Sequence, residues 1–533
     1  MHPHDAQVSV IVIGYDDAAH VTDAVRSALA QGGVVREVIA VDDCSTDGSP
    51  ELLDALAAED PRVKVVRRTV NSGGCGSPRN DGIDLAAAPY VMFLDSDDVL
   101  PPGAVEALLM AAVAHGTPVA AGLCVRRELP SGREVPWQPE LYERPALISR
   151  PSRRPRLAYD TLCVNKLYRT DFLREHGIRF PDGRFPYEDF VFSARMLAAG
   201  PSIALVPETV YIWHVRRSAR RLSISLDRAD VDNWKARMEA TRQAYEILLR
   251  AGDKRLARAA RTTFLDRGLR MYTRELPLRD AGYQNEWWTL TRAFLSDFDD
   301  ADLAQASVSG RVVAQVVLAS EAPRDLDRLK ELAARPAQLA PPYASTADGT
   351  PVWSADLPQV QLEHLLHRPV PRLPVAIDAE LHPAARGSRL RLHLHELYGR
   401  MENARPARID VEFTPREGGA RTSHTYTAPL RRDAASDGWR AETAVDLSAF
   451  AAGTWDVTLT LRCDDGTSRE TTAHALTGPG LLTRRAVPSL KHGVLLVQPY
   501  ATHSGALAVR LAPGVRGATS VLGRRLRRLA RRT

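Results

Sequence analysis

Three aspartates in four residues interrupt the stretch YVMFLDSDDVLPP (90–102): Asp95, Asp97 and Asp98 end an apolar run and precede two prolines and a helical pattern. Carboxylates this close repel one another and resist desolvation. A strand that halts on them needs either water or a cation. A divalent ion with hard oxygen ligands would neutralise them and bridge to phosphate oxygens; the plain alternative is an acidic turn before a helix N-terminus. A second acidic point, Glu188–Asp189, stands just before the helical run 190–199. Asp189 has the chemistry of a general base for a hydroxyl, or of a helix cap. Asp42 and Asp43 can hydrogen-bond a base or ribose, although DDCSTDGS is also rich in turn formers. In NSGGCGSPRN (71–80) the glycines let backbone amides approach a ligand and Arg79 suits a phosphate, with a flexible connection as the alternative. In YIWHVRRSARRLSIS (211–225), His214 with Arg216, Arg217, Arg220 and Arg221 can neutralise a diphosphate or hold an anionic acceptor. A solvated basic loop is the alternative for any one of these arginines. CVNKLYRTDFL (163–173) reads as packing of a strand-to-helix turn.

These residues need elements to converge on one place. VSVIVI (8–13), VREVIAV (35–41), VKVVRR (63–68) and YVMFLD (90–95) are apolar, β-branched runs separated by helical patterns. Strands alternating with helices imply right-handed crossovers and a parallel sheet buried on both faces. Ligands bind such sheets at the carboxyl ends of the strands, where Asp42–Asp43, the 71–79 loop and Asp95–Asp97 all fall. From about 227 to 335 the pattern turns helical, as in 233–252 and 254–276. After a Pro-containing stretch at 336–351 come alternating runs at 389–397, 407–415, 422–430, 439–447, 454–463 and 469–478, the pattern of a β-sandwich. The expected domains are 1–226, 227–350 (a helical linker), 351–480 (the sandwich), 481–515 (an extra β segment, either separate or part of the C-terminal domain) and 516–533 (a basic amphipathic tail).

The 533 residues exceed one core. The five cysteines are scattered without a CxxC pair, which excludes a zinc ribbon or a disulfide framework and fits a reducing compartment. No leader and no apolar run of 18 residues is expected to take the chain into a membrane. The formal charge is +5, but the last ten residues hold six arginines and no acid, leaving the rest at −1. Leu522, Leu526 and Leu529 among those arginines make a basic amphipathic pattern suited to an anionic bilayer surface, or a solvated terminus. The expected location is cytoplasmic, peripheral at the inner face of the cell membrane. No recognition module for nucleic acid is present, so none is expected as a partner.

The N-terminal ~225 residues resemble the family 2 glycosyltransferases of GT-A fold, on VSVIVIGYDD, VDDCSTDGS, NSGGCGSPRN, DSDD and PYEDFVFSARML in that order and spacing. NKLYR, YEDF and YxWHxRR…SIS look most like the bacterial cell-wall branch, including wall teichoic acid glycosyltransferases with a C-terminal immunoglobulin-like oligomerisation region. The chain departs from the usual family pattern at Ile13 and Asp17, near the base pocket. The resemblance implies that Tyr15, Asp43, Asn71 and Arg79 contact the uridine nucleotide and that Asp95 contacts ribose or diphosphate. It implies further that Asp97, supported by His214, holds Mn²⁺ or Mg²⁺, that Glu188 holds the donor sugar and that Asp189 is the base. Arg126 and Arg217 fall to the acceptor side. The implied activity is inverting transfer of a sugar, GlcNAc first among candidates, from a UDP-sugar to a hydroxyl of an anionic glycan or polyol-phosphate polymer. The implied assembly is a homo-oligomer formed through the C-terminal region. The competing expectation is a non-catalytic scaffold that retains the fold; the presence of both Asp97 and Asp189 favours the enzyme.

Overall fold

The apolar runs at 8–13, 35–41 and 90–95 become strands whose side chains are covered on both faces, while the run at 63–68 forms the sheet's partly exposed edge. The computed structural model describes residues 7–216, 227–385, 387–416, 423–434, 436–489 and 493–513. It divides into two compact units, 1–264 with 298–305 and 265–297 with 306–533.

The first unit is built on a nine-stranded sheet. Strands β1 (Val8–Gly14), β2 (Val35–Asp42), β3 (Val63–Arg67) and β4 (Tyr90–Asp95) alternate with helices α1 (Val21–Leu29), α2 (Ser49–Glu59) and α3 (Gly76–Leu85). They lie parallel in the order β3-β2-β1-β4, with Val10–Val12 of β1 and Val91–Leu94 of β4 fully buried. Helix α4 (Ala104–His115) leads into β5 (Val119–Glu128), which forms a hairpin with β6 (Arg133–Trp137). Strands β7 (Ala146–Ile148), β8 (Lys166–Arg169) and β9 (Ile203–Val215) complete the sheet, with helices α5 (Thr170–Glu175) and α6 (Glu188–Ala198) between β8 and β9. Strand β8 enters antiparallel between β4 and β5, while β5 and β9 run parallel, so the sheet is mixed.

Helices α7 (Asp232–Arg250) and α8 (Lys254–Thr263) belong to this first unit, so the unit does not stop at 226. The reason is packing at the start of α6. The guanidinium of Arg237 lies 4.8 Å from the ring of Tyr187 and 5.2 Å from that of Phe190, and Tyr187 Oη donates to Asn233 at 2.6 Å. The unit also buries Trp234 stacked on Phe264.

The second unit has helices at Ala281–Leu295, Val308–Ala319 and Leu326–Leu332, followed by two sheets. One contains Ile377–His382, Ser388–His395 and Gly438–Val445; the other contains Pro406–Pro415, Gly453–Cys463, Gly493–Ala501 and Leu507–Pro513. Alternation sends Leu390, Leu392 and Leu394, and likewise Val457, Leu459 and Leu461, into the interior. Leu507–Pro513 pairs directly with Gly453–Cys463, so the segment read as an extra β element is part of the same sheet. The strand at Ile377–His382 was not anticipated, while Arg485–Ser489 falls within the expected β segment 481–515. The tail 516–533 lies outside the described residues.

Candidate active site

At the carboxyl end of β4, one arginine gathers three carboxylates. Arg79, on α3, donates from Nη2 to Asp95 Oδ1 at 2.6 Å and from Nη1 to Glu188 Oε1 at 2.6 Å and Asp189 Oδ1 at 3.3 Å. Its side chain is only 3% exposed and lies against the ring of Phe180. The cluster therefore brings three carboxylates onto a single guanidinium at the carboxyl edge of the sheet. Arg79, expected to hold a phosphate, has its guanidinium committed to these carboxylates instead. Burial and the neighbouring Asp189 push the Glu188 carboxyl above its ordinary range, with Arg79 opposing. Asp189 is also raised, by burial and by Asp95 against Arg79. A raised carboxylate is better matched to taking a proton near neutral pH.

Local backbone explains the convergence. Tyr187 precedes α6 at φ 69°, the left-handed region that non-glycine residues seldom occupy, so Asp189 sits inside the first turn and is not the cap. Gly76 begins α3 where a Cβ would stand 2.1 Å from the carbonyl oxygen of Pro181; only glycine brings the Arg79 helix this close to the segment leading to α6.

The aspartate turn divides its labour. Asp98 is buried and accepts from Tyr211 Oη and from the His214 amide, each at 2.7 Å, which ties the turn to β9. Asp97 is drawn up to about 6 by burial, then by Asp95 and Asp17, with Arg216 opposing. His214 Nδ1 lies 3.1 Å from the Asp97 carbonyl, and Arg216 Nη1 donates to the same oxygen at 2.7 Å. Because a carbonyl only accepts, His214 carries its proton on Nδ1, leaving Nε2 with a lone pair. Burial lowers the His214 pKa, favouring that neutral ring.

Among the described residues, no three His, Cys, Asp or Glu side chains stand together as a metal cage. The donor set still fits a hard cation that takes one or two carboxylates and completes its shell with phosphate oxygens and water. Asp95 and Asp97 supply such oxygens, and the like-charge load on Asp97 is what a cation would relieve. Asp98 is already spent on Tyr211 and His214.

The residues expected to meet the nucleotide form a second group. Asn71 Nδ2 donates to the Asp43 carbonyl at 2.8 Å, and Ser72 Oγ donates to Asp43 Oδ2 at 2.8 Å, so the 71–74 loop folds onto Asp43. Tyr15 is half-buried just past the end of β1. Arg126 lies on β5 opposite Trp213 of β9, and its guanidinium reaches Glu128 at 3.3 Å. Arg217, Arg220 and Arg221 fall outside the described residues. Asp17, noted in the sequence only as a departure from the family pattern, accepts from Ser96 Oγ at 2.8 Å; sequence reasoning missed the buried Asp160–Lys166 pair at 2.7 Å behind Asp189. The signal for the pair was Lys166 itself, a cation opening a short strand whose next two residues, Leu167 and Tyr168, are buried.

The mixed sheet, its strand order and the acidic edge define a GT-A fold, and residues 9–177 match the family model "Glycosyl transferase family 2". That match lies wholly within the first unit. Among individual proteins, the chain is 32% identical over 237 residues to the succinoglycan biosynthesis protein ExoO of Rhizobium meliloti, covering 42% of this chain and 65% of that protein. It is 29% identical over 217 residues to the poly(ribitol-phosphate) beta-N-acetylglucosaminyltransferase TarS of Staphylococcus aureus, covering 40% of this chain and 36% of that protein. These matches span from about a third to just under two thirds of the relatives' own length. The crystal structure of S. aureus TarS aligns over 95% of this chain and 85% of its own, with a TM-score of 0.54 and 20% identity, a likeness of fold.

Proposed function

We propose that this protein is an inverting glycosyltransferase that moves a sugar, GlcNAc first among candidates, from a UDP-sugar to a hydroxyl of an anionic cell-wall polymer. The observation that carries the reading is the Arg79 cluster, which sets Asp95, Glu188 and Asp189 on one guanidinium at the ligand-binding edge of a family 2 fold. The name of TarS, a poly(ribitol-phosphate) N-acetylglucosaminyltransferase, and its crystal structure with UDP-GlcNAc support the donor and acceptor classes.

Asp189 accepts the proton of the acceptor hydroxyl as that oxygen forms its bond to the anomeric carbon. The bond from that carbon to the UDP oxygen breaks, and a single displacement inverts the centre. Glu188 orients the donor sugar's hydroxyls. Asp43 and Asn71 hold the uridine with Tyr15, and His214 and Arg216 face the departing diphosphate. A Mn²⁺ or Mg²⁺ ion on Asp97 and Asp95 would neutralise charge on that diphosphate. The same reading includes self-association through the C-terminal sheets and contact of the basic tail with an anionic membrane.

The test is UDP release from a panel of UDP-sugars with poly(ribitol phosphate) as acceptor, in Mn²⁺ or EDTA, for wild type and Asp189→Ala. One donor should support metal-dependent release that the variant loses while still binding UDP in calorimetry. Equal release by the variant would overturn the assignment.

A further inference from the structure

The Asp189 carboxylate is gripped from two sides. Arg79 takes Oδ1, as described; Oδ2 accepts from the backbone amide of Cys163 at 3.3 Å. That amide belongs to the peptide unit whose carbonyl is Leu162's, and the unit is trans. In a planar trans peptide the C=O and N–H point in opposite directions, so fixing one end aims the other. The carbonyl end is fixed by Lys166: its Nζ donates to Leu162 O at 2.6 Å. The same ammonium donates to Asp160 Oδ2 at 2.7 Å and Asn165 Oδ1 at 3.0 Å.

Lys166 and Asp160 are almost completely enclosed, at 4% and 1% side-chain exposure. Asp160 is held further by Trp137 Nε1 at 2.9 Å, Tyr142 Oη at 2.5 Å and Asn165 Nδ2 at 3.1 Å. Buried ion pairs contribute little net stability against an apolar replacement of the same size. A fully satisfied pair immediately behind a reactive carboxylate is better explained by what it aims. We propose that Lys166 is a positioning residue for the transfer reaction, holding the 162–163 peptide so that its N–H fixes the Asp189 carboxylate. This rests on the reading of Asp189 as the base. Because Asp160 neutralises the ammonium, the action is orientation through the peptide, not a direct field.

Removing one partner of a buried pair is strongly destabilising, so Lys166→Met alone confuses folding with function. Asp160→Asn/Lys166→Met removes both charges together and is the variant to use. Its kcat for sugar transfer should fall by about 10- to 100-fold, the scale of a misplaced catalytic group. The KM for the UDP-sugar should stay within about twofold, since no donor-binding residue is touched. An amide donor to a carboxylate favours its charged form, so its loss should move the acid limb of the kcat–pH profile to higher pH. A merely structural pair would lower the melting temperature and leave kcat and the limb where they are; that result overturns the proposal. Asp189→Asn is the control. If it abolishes transfer and the double variant behaves as wild type, the proposal alone fails; if it transfers normally, the proposed function fails first.

Discussion

Arg79 shows how much one side chain can organise. Its guanidinium satisfies carboxylates from the end of β4 and the start of α6, and lysine, a point charge without a planar fork, cannot reach all of them. Arg79→Lys is therefore expected to fold and yet lose transfer by about 100-fold or more, a displacement-scale effect; kcat and the melting temperature together check this. Arg79→Ala leaves three carboxylates against one another and should cost roughly 3–5 kcal/mol of stability, as does breaking other buried pairs. Asp97 offers a pH test. Its folded pKa, about 6, lies above its ordinary 3.8, so the associated stability is present below about pH 4 and is lost as pH rises through 6. In EDTA, the melting temperature of Asp97→Asn should match wild type at pH 4 and exceed it at pH 7; parallel curves would contradict the like-charge account. Mn²⁺ should then raise the wild type and not the variant.

Elements bring these residues together, and here glycine is the sharpest probe. Gly76→Ala places a Cβ against the Pro181 carbonyl and should cost about 1–3 kcal/mol, the usual cost of overpacking, with a matching fall in melting temperature. Gly33→Ala, which meets nothing within 4 Å, is the neutral comparison. The first four strands were legible because their apolar runs recur between helical patterns, and β1, β2 and β4 are nearly continuous apolar stretches buried in the sheet. Helix α2 was legible because Ser49–Pro50 marks its start. Glu188 and Asp189 stood out as charges at the mouth of a helix. What Arg79 does was not legible, since its partners lie 16, 109 and 110 residues away and nothing local distinguishes a phosphate-binding arginine from a structural one. Strand β8 was legible only as part of a strand-to-helix turn, and its place between β4 and β5 was not, because four residues are too few for a period to show. The extent of the first unit was misjudged because α7 looks like any amphipathic helix until Arg237 is seen against Tyr187 and Phe190.

At the scale of the molecule, two units with separate cores predict calorimetric unfolding that departs from a single two-state step. UDP should raise the transition of the first unit by mass action. The second unit has its own titrating clip: His474 lies between Asp378 Oδ1 at 2.9 Å and Glu331 Oε1 at 3.1 Å, with His395 on the other oxygen of Asp378 at 2.7 Å. Hydrogen bonding to Asp378 raises the His474 pKa above 6.5, so its contribution is complete below that pH and fades as pH climbs past the raised value. His474→Gln should lower the transition that UDP does not move, more at pH 6 than at pH 9.

The Arg79 cluster also has an order in time. On the ribosome, Arg79 and Asp95 emerge together and can pair as a neutral couple while the half-sheet β3-β2-β1-β4 closes around them. Glu188 and Asp189 arrive roughly a hundred residues later, at synthesis rates of about 5–20 residues per second, and add both remaining carboxyl groups in one step. The nascent chain thus spends several seconds with Arg79 and Asp95 made and Glu188 and Asp189 still untranslated, and the full cluster can close only as α6 is laid down.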